Sequence, residues 1–198
     1  MFTTEIISAS AMMVVVINPF SKMFYIMILK EQYSEKDLIY VVSRSNLIGL
    51  LILIIFAIAG SFILSVIFNI DVNALRIAGG IVLAKIGFTY LEKGGKFTIE
   101  KTQSILEMSA VPIATPLIAG PAAITTVITI SVEYSILVAC FATTIAIIIN
   151  SLFMLSSLFI SERLGKTTIS ILIRILGLFI MAVGIQMIII GTENFIPQ

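Results

Sequence analysis

Of the chain's 198 residues, 59% are hydrophobic and 12% charged, and the mean hydropathy is +1.16; a soluble domain carries about 25% charged residues. Twelve Lys and Arg against eleven Asp and Glu leave a formal net charge of +1, a balance that argues against a nucleic-acid footprint. With no His and a single Cys, Cys140, the chain excludes a His-ligated metal, a Ser/His or Cys/His nucleophile and an internal disulfide.

The composition is that of a polytopic helical membrane protein, whose first partner is the lipid bilayer. Apolar stretches between charges predict six spans: Ile6–Leu29, Leu47–Phe68, Leu75–Leu91, Val111–Val132, Ser135–Ile160 and Ile169–Gly191. About 20 residues cross the hydrocarbon, so the third span, at 17 residues, is short. The runs are too long and too continuously apolar for barrel strands, and an open sheet cannot sit in lipid. Only Glu5 precedes the first span, which outruns a signal-peptide core and reads as a retained helix.

Basic residues fall on one side. Lys30, Lys36 and Arg44 follow span one, Lys93, Lys96 and Lys101 follow span three, and Arg163 and Lys166 follow span five. The other side has Asp71, Glu133, Glu5, Glu193 and a single basic residue, Arg76. The positive-inside rule makes the eight-residue basic set cytoplasmic and puts both termini outside.

The chain divides into 1–91, a connector 92–110 that is cytoplasmic and short enough for one amphipathic helix, and 111–198. The two outer parts repeat each other. Leu75-Arg76-Ile77-Ala78-Gly79, with Ala84, matches Ile173-Arg174-Ile175-Leu176-Gly177, with Ala182, at an offset of 98. Asn18-Pro19 matches Gly120-Pro121 at an offset of 102, and Gly60-Ser61 stands where the second half has Asn150-Ser151. Three spans per half make the halves inverted, a recurrent design of secondary carriers. The expected fold is all-α: six transmembrane helices as two inverted three-helix repeats, with helices 1 and 4 broken near the midplane.

The breaks follow from proline chemistry. Pro19 lies 13 residues into span one and Pro121 ten residues into span four, ~20 and ~15 Å deep at 1.5 Å per residue. Proline removes a helical hydrogen bond and clashes with the preceding turn. Asn18-Pro19 and Gly120-Pro121 each read as an N-cap followed by proline at the first helical position. The amides of Phe20, Ser21 and Lys22, and of Ala122, Ala123 and Ile124, are then free near the bilayer centre, where the positive ends of two helix dipoles favour an anion such as a carboxylate. The plainer alternative is a pair of kinks whose carbonyls are satisfied by Ser or Thr neighbours.

The run Val111-Pro112-Ile113-Ala114-Thr115-Pro116-Leu117-Ile118-Ala119-Gly120-Pro121-Ala122-Ala123-Ile124-Thr125-Thr126 resembles the signature of the MarC family. Asn18-Pro19 and Leu75-Arg76-Ile77-Ala78-Gly79-Gly80-Ile81 resemble that family's first- and third-helix elements, and the resemblance covers essentially the whole chain. It implies a six-helix protein of a prokaryotic cytoplasmic membrane that transports small neutral amino acids such as glycine and alanine. Ala122 stands where the family pattern has Gly, and Ser21 and Phe24 stand where Gly and Pro are common, departures that bear on the width of the site.

Inside the spans there is no acidic residue, but there are Lys22 and Lys85, candidates for a charge or coupling role by their cost in lipid. Lys22 either reaches the site or snorkels to the interface. Lys85 sits near the middle of span three. Thr125, Thr126, Thr143, Thr144 and Asn150 are polar positions whose ordinary role is helix packing; Thr125 and Thr126 are the strongest substrate candidates among them because they follow the break. The expected substrate-binding set is Asn18, Pro19, Phe20, Ser21, Gly120, Pro121, Ala122, Ala123, Thr125 and Thr126. A coupling ion, H+ or Na+, is left open beside facilitated diffusion, and nothing in the sequence bears on oligomeric state. The competing readings are a passive channel, an exporter of another small solute and a membrane scaffold. No cofactor and no enzymatic activity are expected: the groups of acid–base hydrolysis are missing from the spans.

Overall fold

A computed structural model describes residues 2–30, 33–63, 66, 69–94, 118–160 and 166–195. Among these the chain is helical without strands, in seven segments: α1 (Phe2–Ile17), α2 (Pro19–Leu29), α3 (Glu35–Phe62), α4 (Val72–Lys93), α5 (Pro121–Glu133), α6 (Ile136–Ile160) and α7 (Lys166–Phe195). Five helical stretches are long and apolar enough to cross a membrane: α1 with α2 taken together, α3, α4, α6 and α7. The described part of the fourth expected span is α5, 13 residues and ~20 Å long; residues 111–117 of that span, and the connector from 95 to 110, lie outside the described residues.

Helix boundaries differ from the expected spans: α1 begins at Phe2 and α7 runs Lys166–Phe195, and the second and third spans differ as follows. The second span was expected to begin at Leu47, but α3 begins at Glu35 and ends at Phe62, 28 residues or ~42 Å. Lys36, Asp37 and Arg44 bound the apolar stretch without ending the helix. Ser34 caps α3 by accepting from the Asp37 amide at 3.3 Å, and Leu38, Val41, Val42, Ser45 and Asn46 continue the buried face. The third span is longer than the 17 residues expected: α4 has 22, from the Asp71 cap, which accepts from the Asn73 amide at 2.6 Å, to Gly94, whose φ of 53° closes the helix in the left-handed conformation.

Two apolar clusters hold the bundle. The larger joins α1, α3, α5 and α6 through residues such as Met13, Leu53, Ile128 and Ala142. The smaller joins α2, α4 and α7 through Met23, Phe24, Met27, Tyr90, Ile173 and Ile180. The helix after Asn18 therefore sits between them, since Ile26 and Leu29 of α2 belong to the larger cluster. Lys30 pairs with Glu35 at 2.9 Å and also donates to the Leu158 carbonyl, which gathers the end of α2, the start of α3 and the end of α6.

Helices α4 and α7 run antiparallel with their backbones in contact. A Cβ on Gly80 would lie 2.5 Å from the Gly184 carbonyl oxygen, one on Gly87 2.4 Å from the Met181 nitrogen, and one on Gly191 3.1 Å from the Asn73 oxygen. The seven-residue spacing of Gly80 and Gly87, and of Gly177, Gly184 and Gly191, keeps all five on the contact face. Lipid gives helices no hydrophobic reason to associate, so such close small-residue packing supplies the van der Waals contact instead. Arg174 donates to the Leu91 carbonyl at 2.8 Å and Ser170 to the Gly94 carbonyl at 2.6 Å, fastening one end of the pair. At the other, Arg76 donates to Asn73 and Thr129 at 3.3 Å each, tying α4 to α5.

Candidate substrate cavity

Asn18 does two jobs at the junction of α1 and α2. Its amide donates to the Val14 carbonyl at 2.9 Å, closing α1, and its φ of 53° is the left-handed conformation that ends many helices. Asn tolerates that conformation better than other side-chain-bearing residues. Asn18 also begins α2: its main-chain oxygen accepts from the Ser21 amide at 3.2 Å, and its Oδ1 from the same amide at 3.3 Å. The Ser21 hydroxyl donates back to the Asn18 oxygen at 2.9 Å. Pro19 then occupies the first position of α2, where its missing amide hydrogen costs nothing to α2 but leaves the Val15 carbonyl without its helical donor.

The second helix start is simpler. Gly120, in an extended conformation, precedes Pro121 at the first position of α5 and makes no side-chain cap. Ile124 donates to the Gly120 carbonyl at 3.0 Å, so its amide, like that of Ser21 at the first start, is not free, contrary to the expectation from sequence; the amides of Ala122 and Ala123 stand in the first turn. A Cβ on Gly79 of α4 would lie 3.0 Å from the Ala122 nitrogen and 3.1 Å from Pro121. A side chain at this position would require α4 or the α5 start to give by a few tenths of an ångström.

Both starts open on one cavity. From the first come Val15, Val16, Asn18, Ser21 and Lys22; from the second, Ile118, Gly120, Pro121, Ala122 and Ala123. Val82, Leu83, Ile86 and Tyr90 of α4, with Ile180 and Val183 of α7, complete the wall. The space available to the centres of water-sized spheres is about 40 Å³; one water needs about 10–15 Å³ on that measure, so the room is for a few waters or one small solute. Lys22 is 4% exposed and its ammonium donates to the Ile17 carbonyl, at the end of α1. No carboxylate lines the cavity among the described residues.

Of the residues singled out from sequence, Asn18, Ser21, Lys22, Gly120, Pro121, Ala122 and Ala123 meet at this cavity, although about 100 positions separate the two groups. Pro19 is buried beside it without lining it. Phe20 is 50% exposed and packs edge-on against Phe153, ring centroids 4.8 Å apart. Thr125 is buried with its hydroxyl donating to the Pro121 carbonyl at 2.8 Å, and Thr126 is half-buried; neither lines the cavity. Lys85 is exposed on the outer face of α4, away from the cavity. Thr144 donates to Cys140 at 2.8 Å, and Asn150 donates to Asn46 Oδ1 at 2.8 Å, joining α6 to α3. Gly79 and the apolar wall of α4 and α7 were not singled out for the site. Gly79 carried a signal in the repeated Arg-Ile-x-Gly motif; the aliphatic wall carried none.

The fold is that of a helical integral membrane protein with a small cavity between two proline-started helices. The chain belongs to the MarC family: the family model, described as a MarC family integral membrane protein, matches residues 3–196. Similar chains include a UPF0056 membrane protein of Pyrococcus horikoshii, 46% identical over 97% of this chain and 95% of its own, and one of Methanocaldococcus jannaschii, 34% identical over 90% and 91%. A third, the UPF0056 membrane protein YvbG of Bacillus subtilis, is 28% identical over 91% of this chain and 90% of its own. No solved structure matches.

Proposed function

We propose that the protein is a secondary transporter of small neutral amino acids, of the glycine and alanine type, working by alternating access across a prokaryotic cytoplasmic membrane with both termini outside. In this reading the two three-helix halves are inverted repeats, and the first and fourth spans are each broken by their proline. The observation that carries the proposal is the single cavity lined by Asn18, Ser21 and Lys22 on one side and Gly120-Pro121-Ala122-Ala123 on the other.

A zwitterion entering the bilayer must replace the hydration of a carboxylate and an ammonium. The first turn of α5 offers the Ala122 and Ala123 amides to the carboxylate, while at the α2 start, where Asn18 takes the Ser21 amide, the contribution is the positive end of the helix dipole. The Val15 carbonyl, which Pro19 cannot satisfy, and the second lone pair of Asn18 Oδ1 supply acceptors for the ammonium. Gly120, Ala122 and Ala123 leave little side-chain bulk, which suits a substrate of a few non-hydrogen atoms. Proteoliposomes preloaded with unlabelled alanine should take up labelled alanine or glycine by counterflow and saturate, with leucine and phenylalanine competing poorly. Uptake that matches empty liposomes for every amino acid would contradict the proposal; non-saturating flux without counterflow would mark a pore.

A further inference from the structure

The end of α1 presents carbonyls with their ordinary donors removed. In an uninterrupted helix the Val15 oxygen would accept from residue 19 and the Ile17 oxygen from residue 21. Residue 19 is Pro19, which has no amide hydrogen. The Ser21 amide is turned instead to Asn18, main chain at 3.2 Å and Oδ1 at 3.3 Å. The Ile17 carbonyl accepts from the Lys22 ammonium, which reaches back past the break from the first turn of α2. A helix C-terminus is the negative end of the macrodipole and favours a cation. In carriers with interrupted helices, carbonyls of this kind hold a sodium ion.

Lys22 is 4% exposed, and no acidic side chain among the described residues lines the cavity it faces. Among the described residues, its charge is thus met by main-chain oxygen and not by a carboxylate. The device belongs to one start only, because the residue equivalent to Lys22 after Gly120-Pro121 is Ile124.

We propose that the carbonyl end of α1 is a monovalent-cation site filled by the protein's own Lys22 ammonium, so that substrate binds without an external sodium ion. The ammonium is a tethered cation: it holds the end of α1 against the start of α2 and keeps Asn18 and Ser21 in place at the cavity. Removing it leaves a vacant site that a free cation of similar size can enter. The cation-site claim stands on the geometry of the break; only its substrate arm rests on the transport reading.

The test compares the parent with Lys22→Ala and the bulk-matched Lys22→Met in N-methylglucamine, sodium and methylammonium chlorides at equal ionic strength. The first readout needs no substrate. The unfolding midpoint of each variant should rise with methylammonium or sodium over N-methylglucamine, as binding to the folded state requires, while the parent's stays unchanged. The second is labelled alanine binding. It should be equal for the parent in all three salts, at least about tenfold weaker for the variants in N-methylglucamine, as the loss of a charged hydrogen-bond donor implies, and restored by methylammonium or sodium. A parent stabilised by sodium as the variants are, variants that no cation stabilises, variants that bind alanine as the parent does in N-methylglucamine, or variants that cannot be recovered folded even in methylammonium or sodium would each overturn the proposal. Cation-dependent stability in the variants with no alanine or glycine binding by the parent in any salt would uphold the cation site and refute the transport reading.

Discussion

Replacing Asn18 by Ala and by Gly separates what its backbone does from what its side chain does. At a φ of 53°, Asn18 sits where a Cβ-bearing residue pays about 1–2 kcal/mol. It also caps α2 through the 3.3 Å bond from the Ser21 amide, and losing a cap to Ala costs about 0.5–2 kcal/mol. Part of the left-handed cost is already carried by Asn, so Asn18→Ala should destabilise by about 1–3 kcal/mol in all. Asn18→Gly keeps the positive φ at no steric cost and loses the cap at a few tenths of a kcal/mol, so it should stay within about 1 kcal/mol of the parent. Titration with SDS in mixed micelles, followed by far-UV circular dichroism, measures both. Substrate affinity should sort the variants differently. Both remove Oδ1, so both should weaken alanine binding by roughly 1–3 kcal/mol, the cost of an unmet buried polar partner. A Gly variant as unstable as the Ala variant would refute the assignment of a left-handed helix junction to Asn18; a Gly variant that binds alanine as the parent does would remove Oδ1 from the site.

Gly87→Ala should lower stability by about 1–3 kcal/mol in the same SDS titration, because its Cβ would fall 2.4 Å from the Met181 backbone nitrogen and α4 and α7 would have to part. Lys85→Met should leave alanine binding within about twofold in an equilibrium binding assay, since Lys85 faces outward from α4 and does not line the cavity; loss of binding in a folded variant would restore Lys85 to the site. In a Cys140→Ser background, Lys96→Cys and Arg163→Cys should label only from the cytoplasm and Glu193→Cys only from outside; outside labelling at position 96 would reverse the proposed orientation.

The parts of the fold legible in the sequence are those that lipid makes obligatory. A long apolar run must be a helix, and a proline within it must leave a carbonyl and its neighbours needing new partners, so Asn18-Pro19 and Gly120-Pro121 stand out in the sequence itself. The start of α3 was missed because charge marks where lipid ends, not where a helix ends. Ser34 followed by Asp37 three residues on was the capping signal that could have placed it. The close approach of Gly79 to the α5 start depends on how α4 packs, which no local pattern encodes, although its glycine was visible. Lys22 was legible as an unusual charge; that its ammonium turns back to Ile17 and not out to the interface depends on the burial around it. Lys85 read from depth alone as an interior charge, yet depth along a helix says nothing of which face a residue occupies.

The central claim, that two proline-started helices form one small carboxylate site, is tested most directly by equilibrium binding of labelled alanine to purified parent and Gly120→Leu protein in the same detergent. Gly120 lines the cavity at the cap of α5, and a leucine side chain there would take up the room the cavity offers a small solute. Saturable binding by the parent that is abolished in a folded Gly120→Leu protein is the predicted result; undiminished alanine binding by Gly120→Leu would place the site elsewhere and reduce both prolines to kinks.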